Sequence, residues 1–459
     1  MKHRICISFL VLLTVFLFNP VLSKKGFSQN NVGQKVSYQQ VKHPAWAKNA
    51  TIYEVNLRQY SVPGTFKAFQ TQLPRLKAMG IDILWLMPIH PIGEKNRKGT
   101  LGSFYSVKDY YGIDPSYGTM EDFKNLVNKA HELGMHLILD WVANHTSWDN
   151  PLITEHPDWY TNDSTGKIVS PFDWSDVADL NYDQPGLRTY MKDAMLWWVK
   201  ETGIDGFRCD VAGMVPTDFW IDVRTELDKI SPVFLLAEAE EPVLQQAFDM
   251  TYGWEFHHIM NDIAKGKKSA DDIMKYFAKN DSLYQKDAYR MYFTSNHDEN
   301  SWNGTEYERL GEGVKTFAVL SVTVPGMPLV YTGQELPLKK RLQFFEKDTI
   351  TWKTVMLNGF YTKLLNLKKS TPALWNGAEG GKFVRIPTNV DKNVFAFVRE
   401  KDKSKVIVIL NLSDKPQTVA LKGKDFLGTY NNIYTGKPLT LAADVQLTLK
   451  PWMYIVLTK

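Results

Sequence analysis

Residues 123–142 read FKNLVNKAHELGMHLILDWV, and this stretch decides the fold. Its first part, residues 123–133, is an amphipathic helical pattern that Gly134 closes as a C-cap. Its second part, residues 136–142, is a β-rich apolar run. Helix, glycine, strand is the repeating unit of a parallel βα fold. Working outward, residues 51–57 (TIYEVNL) and 83–87 (ILWLM) supply two earlier strands. Residues 206–211 (GFRCDV), 233–238 (VFLLAE), a weaker run at 247–252, 292–295 (YFTS) and 328–332 (PLVYT) supply five later ones. A second clear helix, residues 187–202, ends at Gly203. Eight strands separated by helices over roughly 320 residues predict a (β/α)8 TIM barrel. A doubly wound sheet is the alternative, but it seldom needs eight such units.

Two segments fall outside this rhythm. Residues 143–186, after the third strand, are rich in Asp, Asn, Pro, Trp and Ser with little periodicity. A connection of that length in a compact domain usually has a function, and it leaves from the barrel face where active sites lie. It reads as a small inserted domain B. From about residue 380 the pattern changes to period two with turn residues between runs, at 383–386, 393–399, 405–412, 417–421 and 453–457. That predicts a C-terminal antiparallel β domain, a small sandwich. The expected division is a catalytic barrel over 48–375, with domain B at about 143–186, and a β-sandwich over 380–459.

The N-terminus reads as an export signal over residues 1–28. Lys2, His3 and Arg4 precede an almost wholly apolar run, residues 5–18, then Pro20 and Ser23. The run approaches the ~18 residues of a membrane anchor, but Pro20 and Ser23 favour cleavage. Cys6 lies at the very start of the apolar run, the wrong end for a lipid-modified cysteine, which must follow it, and cleavage leaves only Cys209. No internal disulfide is then possible. The expectation is an exported, periplasmic or secreted monomer with no transmembrane segment. Net charge is +4 with both signs well mixed, which gives no reason to propose nucleic acid as a partner. Aromatic residues make up 13%, an excess that suits a carbohydrate partner because pyranose faces stack on rings.

Four predicted strand ends keep polar residues that a buried strand would not. They are residues 140–145 (DWVANH), 206–210 (GFRCD), 238–241 (EAEE) and 295–298 (SNHD). A strand-end Asp is often just a helix cap. Four such ends on one barrel rim are harder to explain as caps. In their order, these segments resemble the α-amylase family of glycoside hydrolases (family 13). So do residues 105–119 (YSVKDYYGIDPSYGT) and 331–335 (YTGQE). The likeness runs from about residue 48 to the C-terminus. It implies a barrel with domain B after strand three and a C-terminal β domain.

Glycosidic cleavage needs one protonated and one ionised carboxyl, and a retaining enzyme holds them ~5–5.5 Å apart. Asp210 and Glu238 end neighbouring strands, which lie ~4.8 Å apart, so retention is favoured over inversion. The resemblance implies that Asp210 is the nucleophile, Glu238 the general acid/base and Asp298 the third carboxylate. Arg208 shares a strand face with Asp210 and can keep it ionised. The apolar residues before Glu238 can raise its pKa. The resemblance further implies that His145 and His297 bond sugar hydroxyls and that Tyr105 stacks under the ring. Trp302 is a candidate outer contact, and Asp140 supports the rim rather than reacting.

The family often binds Ca2+, and Asn144 and Asp179 match two of its oxygen ligands. Where many amylases carry Lys-His after the nucleophile, this chain reads Asp210-Val-Ala-Gly-Met, which departs from the usual site. The expected function is a retaining hydrolase of α-1,4-glucosidic bonds in starch-type α-glucans or maltooligosaccharides. The alternatives are an α-1,6-glucan or cyclodextrin-type hydrolase, an α-glucan transglycosylase, and a non-catalytic carbohydrate-binding relative. Such a binding relative lacks members of the carboxylate trio, and all three are present here.

Overall fold

The computed structural model describes residues 41–352 and 357–459. The expected export signal and Cys6 lie outside the described residues. Eight parallel strands close a barrel: β1 Ile52–Val55, β2 Ile83–Leu86, β3 His136–Trp141, β4 Gly206–Cys209, β5 Phe234–Ala237, β6 Met250–Tyr252, β7 Tyr289–Tyr292 and β8 Met327–Tyr331. Each pairs with its neighbours in chain order and β8 closes on β1. This is the TIM barrel that the helix–glycine–strand rhythm predicts.

Strand seven departs from expectation. It ends at Tyr292, where the run 292–295 was expected to begin, so Asp298 stands on the following loop rather than at a strand end. The pairing of β7 with β8 stops at Tyr292 opposite Pro328, and proline has no N–H to continue a ladder. The helix Met120–Glu132 starts earlier than the apolar pattern suggests, because Thr119 and Asp122 form a reciprocal capping box. Gly203 ends the helix Pro185–Thr202 in the left-handed conformation.

Strand alternation puts Ile52, Ile83, Ile138, Phe234 and Met250 inside the barrel, where they form an apolar core. Gly206 is required there: a Cβ at this position would lie 2.0 Å from the carbonyl oxygen of Phe234. Two residues further along the same strand faces come Glu54, Trp85, Asp140 and Arg208, all buried. The apolar core therefore gives way to a charged layer near the strands' C-terminal ends. At the opposite end the short helix Ala45–Asn49 plugs the barrel, with Trp46 stacked on His136 and tilted against Phe234.

Between β3 and the helix Pro185–Thr202, the insertion forms a two-stranded antiparallel ladder, His145–Ser147 with Val177–Asp179. Beyond the helix Asn358–Ser370 come eight strands: β9 Lys382–Ile386, β10 Val394–Lys401, β11 Ser404–Asn411, β12 Gln417–Ala420, β13 Gly428–Asn432, β14 Pro438–Leu441, β15 Gln446–Leu449 and β16 Tyr454–Thr458. Six form an antiparallel sheet in the order β9-β10-β11-β16-β13-β14, and β12 pairs with β15. Val419 and Leu449 of that pair share one apolar cluster with Ile407, Ile409 and Leu457 of the sheet. Strands β13 to β15 were not foreseen. Each buries a single residue fully (Tyr430, Leu441 and Leu449), too little to show a period-two run. No helix among the described residues is long and apolar enough to cross a membrane.

Candidate active site

A cleft of about 570 Å3 opens at the C-terminal ends of the barrel strands. Asp210, Glu238, Asp298, His145, His297 and Tyr105 all line it. The chain thus brings together six of the seven residues singled out from the sequence, and the seventh, Arg208, lies fully buried directly beneath.

Arg208 organises this floor. Its Nη1 donates to Asp140 Oδ1 at 2.8 Å and to Asp210 Oδ1 at 2.9 Å, and its Nε donates to the Tyr252 hydroxyl at 3.2 Å. Nη2 reaches Glu238 Oε2 at 2.9 Å, within ion-pair distance but off the N–H direction, so no aligned hydrogen bond forms. Glu238 instead accepts an aligned bond at 2.8 Å from the backbone N–H of Val211. Val211 supplies it from left-handed backbone, φ 37°, which a β-branched residue adopts only under strain.

Burial pushes the Asp210, Glu238 and Asp298 carboxyls above their ordinary values, and Arg208 opposes the shift in all three. Only Asp210 receives an aligned charge-assisted bond from Arg208, so the guanidinium favours its anion most directly. Asp140 is buried beneath the rim. Besides Arg208 it accepts from Trp85 Nε1 at 3.1 Å and from the Tyr105 hydroxyl at 3.0 Å.

His297 is held from both sides. Nδ1 meets Glu54 Oε1 at 2.5 Å; Nε2 meets the Tyr105 hydroxyl at 2.8 Å and Asp298 Oδ2 at 3.4 Å. Burial works against a charged imidazole, yet Asp298 and Glu54 raise its pKa to about 9. His145 differs: burial lowers it to about 4, so it is a neutral ring at ordinary pH. The Tyr105 ring lies nearly parallel to His297 at 5.4 Å.

The cleft walls contain residues that sequence reasoning passed over. Lys98 reaches across from the loop after β2 to Asp176 of the insertion, 2.8 Å away. Trp174 stands edge-on to His145 with ring centroids 5.5 Å apart. Phe344 and Phe345, from the segment after β8, pack beside Trp302, which is 52% exposed. Glu54 had a readable signal: it shares a strand face with buried Ile52 in TIYEVNL. The loop residues had none.

Asn144 and Asp179, the expected calcium ligands, stand together, but the Asn144 amide donates to Asp179 Oδ1 at 3.5 Å. They offer one carboxylate and one amide oxygen where calcium takes six to eight oxygens. Among the described residues, no group of three His, Cys, Asp or Glu side chains gathers there. These residues do not by themselves fit the ion.

A family model described as the alpha amylase catalytic domain matches residues 28–384, and one described as the alpha-amylase SusG C-terminal domain matches residues 394–456. The chain belongs to the α-amylase family of glycoside hydrolases. Within that family, it is similar in structure to an α-amylase from Lactobacillus plantarum, with 33% identity over 90% of this chain and 99% of that one and a TM-score of 0.81. The noncanonic maltogenic α-amylase AmyB from Thermotoga neapolitana gives 32% identity over 89% and 98%, also with a TM-score of 0.81. The α-amylase MalA of Haloarcula japonica is 28% identical over 86% of this chain, which spans 60% of that relative's length.

Proposed function

We propose that this α-amylase family member hydrolyses α-1,4-glucosidic bonds in starch-type α-glucans or maltooligosaccharides, with retention at the anomeric carbon. The observation that carries the reading is the shared guanidinium: Asp210 and Glu238 both lie 2.9 Å from terminal nitrogens of Arg208. Two carboxyls on one such group sit close together. That suits the ~5–5.5 Å separation of double displacement rather than the ~6.5–9.5 Å of inversion.

In the first step, an Asp210 oxygen attacks the anomeric carbon. The bond from that carbon to the glycosidic oxygen breaks, and Glu238 gives its proton to the departing oxygen. In the second step, the Glu238 carboxylate takes a proton from water, whose oxygen displaces Asp210. The acid is thereby restored and the sugar released. Asp298, His145 and His297 bind hydroxyls of the reacting ring, Tyr105 stacks on its face, and Trp302 extends the wall. The basic N-terminal residues followed by an apolar run support export.

The test is product analysis on maltoheptaose and pullulan, with the anomeric configuration followed by NMR. Release of α-anomeric maltooligosaccharides from maltoheptaose supports the reading. Release of β-anomers, cleavage of pullulan alone, or transfer products alone would each overturn it.

A further inference from the structure

At the end of the barrel opposite the cleft, three side chains from three segments converge. His131 lies in the last turn of the helix Met120–Glu132, His136 opens β3, and Asp205 immediately precedes β4. His131 Nε2 lies 2.8 Å from Asp205 Oδ2, and His136 Nδ1 lies 2.9 Å from Asp205 Oδ1. Their nearest donor atoms all fall within 4.8 Å of one another. The backbone holds them there: Asp205 N donates to Leu137 O and Leu137 N donates to Asp205 Oδ2, each at 2.8 Å. Trp46, stacked on His136 with ring centroids 3.7 Å apart, fixes the plane of that imidazole.

We propose that His131, His136 and Asp205 form a binding site for a zinc-class divalent metal ion. Zinc binds imidazole nitrogen at ~2.0–2.1 Å and carboxylate oxygen at ~2.0–2.2 Å in a tetrahedron, which spaces donor atoms ~3.4 Å apart. Each nitrogen must part from its oxygen by about half an ångström, and the widest donor pair, within 4.8 Å, must close by as much as about 1.4 Å for an ion of that bond length to enter. His131, 39% exposed at a helix end, has the freedom to close on it. Two nitrogens and one oxygen select zinc, nickel, cobalt or copper over calcium and magnesium, which prefer oxygen throughout. The exposed side of His131 leaves a fourth position for water and a path of entry.

The ion would join a helix end to the starts of two adjacent strands, β3 and β4, whose far ends carry Asp140 and Arg208. This end of a barrel serves stability rather than chemistry. Zinc-class ions bind the unprotonated imidazole, so protons compete with the metal for the ring nitrogens and affinity falls in acid.

The experiment is calorimetric titration of tag-free protein with Zn2+ at pH 8 and at pH 6, with thermal melting in parallel. His131→Ala and His136→Gln are the comparison variants. The expected result is one ion per chain and a raised Tm in the wild type. Binding should weaken at least tenfold at pH 6 and at least tenfold in each variant, with amylolytic activity unchanged in His131→Ala. If His136→Gln fails to fold, His131→Ala alone decides, supported by the visible spectrum of bound Co2+. No heat at millimolar Zn2+, or undiminished affinity in His131→Ala, overturns the proposal.

Discussion

Glu54 Oε1 lies 2.5 Å from His297 Nδ1, and through this contact the first barrel strand sets the charge on a loop beyond the seventh. With Asp140 and Glu54 ionised, the Tyr105 hydroxyl gives its one proton to Asp140, His297 Nε2 donates to that hydroxyl, and Nδ1 donates to the Glu54 carboxylate. An imidazole that donates from both nitrogens is an imidazolium, in accord with a pKa of about 9.

Glu54→Gln should therefore lower the His297 pKa, since a carboxylate that favours the cation is gone. The alkaline limb of kcat/KM should move to lower pH, with a loss of about tenfold at neutral pH, the scale of one charge-assisted bond. The raised folded pKa stabilises the protein fully below about 6.5, and this contribution disappears as pH rises through about 9. Melting across that window should fall less in Glu54→Gln than in the wild type. An unchanged alkaline limb would refute the cationic assignment.

Asp210→Asn and Glu238→Gln should abolish starch hydrolysis for different reasons. Loss of the acid costs about 10²–10⁴-fold. That loss should be largely rescued with an aryl or fluoride leaving group that needs no proton. Asp210→Asn should show no such rescue, because no bond to the anomeric carbon forms. Comparing both variants on both substrate types checks the two roles separately.

Arg208→Met should be the most destabilising single change at the site. It leaves Asp140 and Asp210 buried without their cation, a loss of about 3–5 kcal/mol. Because neutral carboxyls need no cation, the deficit should shrink in acid. Urea unfolding at pH 7 and pH 5 reads both effects, with the m-value unchanged.

The Lys98–Asp176 pair bridges the cleft wall at a partly exposed place. Lys98→Ala should change stability by less than about 1 kcal/mol. Its effect should fall on KM rather than kcat, and raising salt should erase the difference from wild type.

Chelation should leave the rate intact, because Asn144 and Asp179 bond to each other and complete no calcium shell. A tenfold loss after dialysis against EDTA, restored by Ca2+ but not Zn2+, would place the ion there after all.

The barrel and its floor were legible because strand alternation is strict: a charged residue two positions from a core residue must enter the interior. Arg208, Asp210 and Glu238 follow that rule, and Glu54 obeyed it unremarked. Asp298 and His297 lie past the strand that Pro328 cuts short, so rim position and resemblance pointed to them rather than strand alternation. Lys98, Trp174 and Phe344 reach the cleft from loops whose course depends on packing across the whole rim. Strands β13 to β15 are too short and too exposed to announce themselves.

The sharing of Arg208 fixes where the reaction's proton comes from. Around it stand five buried or cleft-lining carboxyls, Glu54, Asp140, Asp210, Glu238 and Asp298, which among the described residues share the Arg208 guanidinium and the His297 imidazolium. Such a cluster cannot be fully ionised away from water. It must retain protons as a standing reserve, distributed by whichever carboxyl is least well served by the cations. Asp140, pushed up to about 7 by burial, and Glu238, raised above its ordinary value by burial with its Arg208 ion pair misaligned, share that reserve. The floor of the cleft therefore already holds the proton that the first step spends, and every turnover returns it.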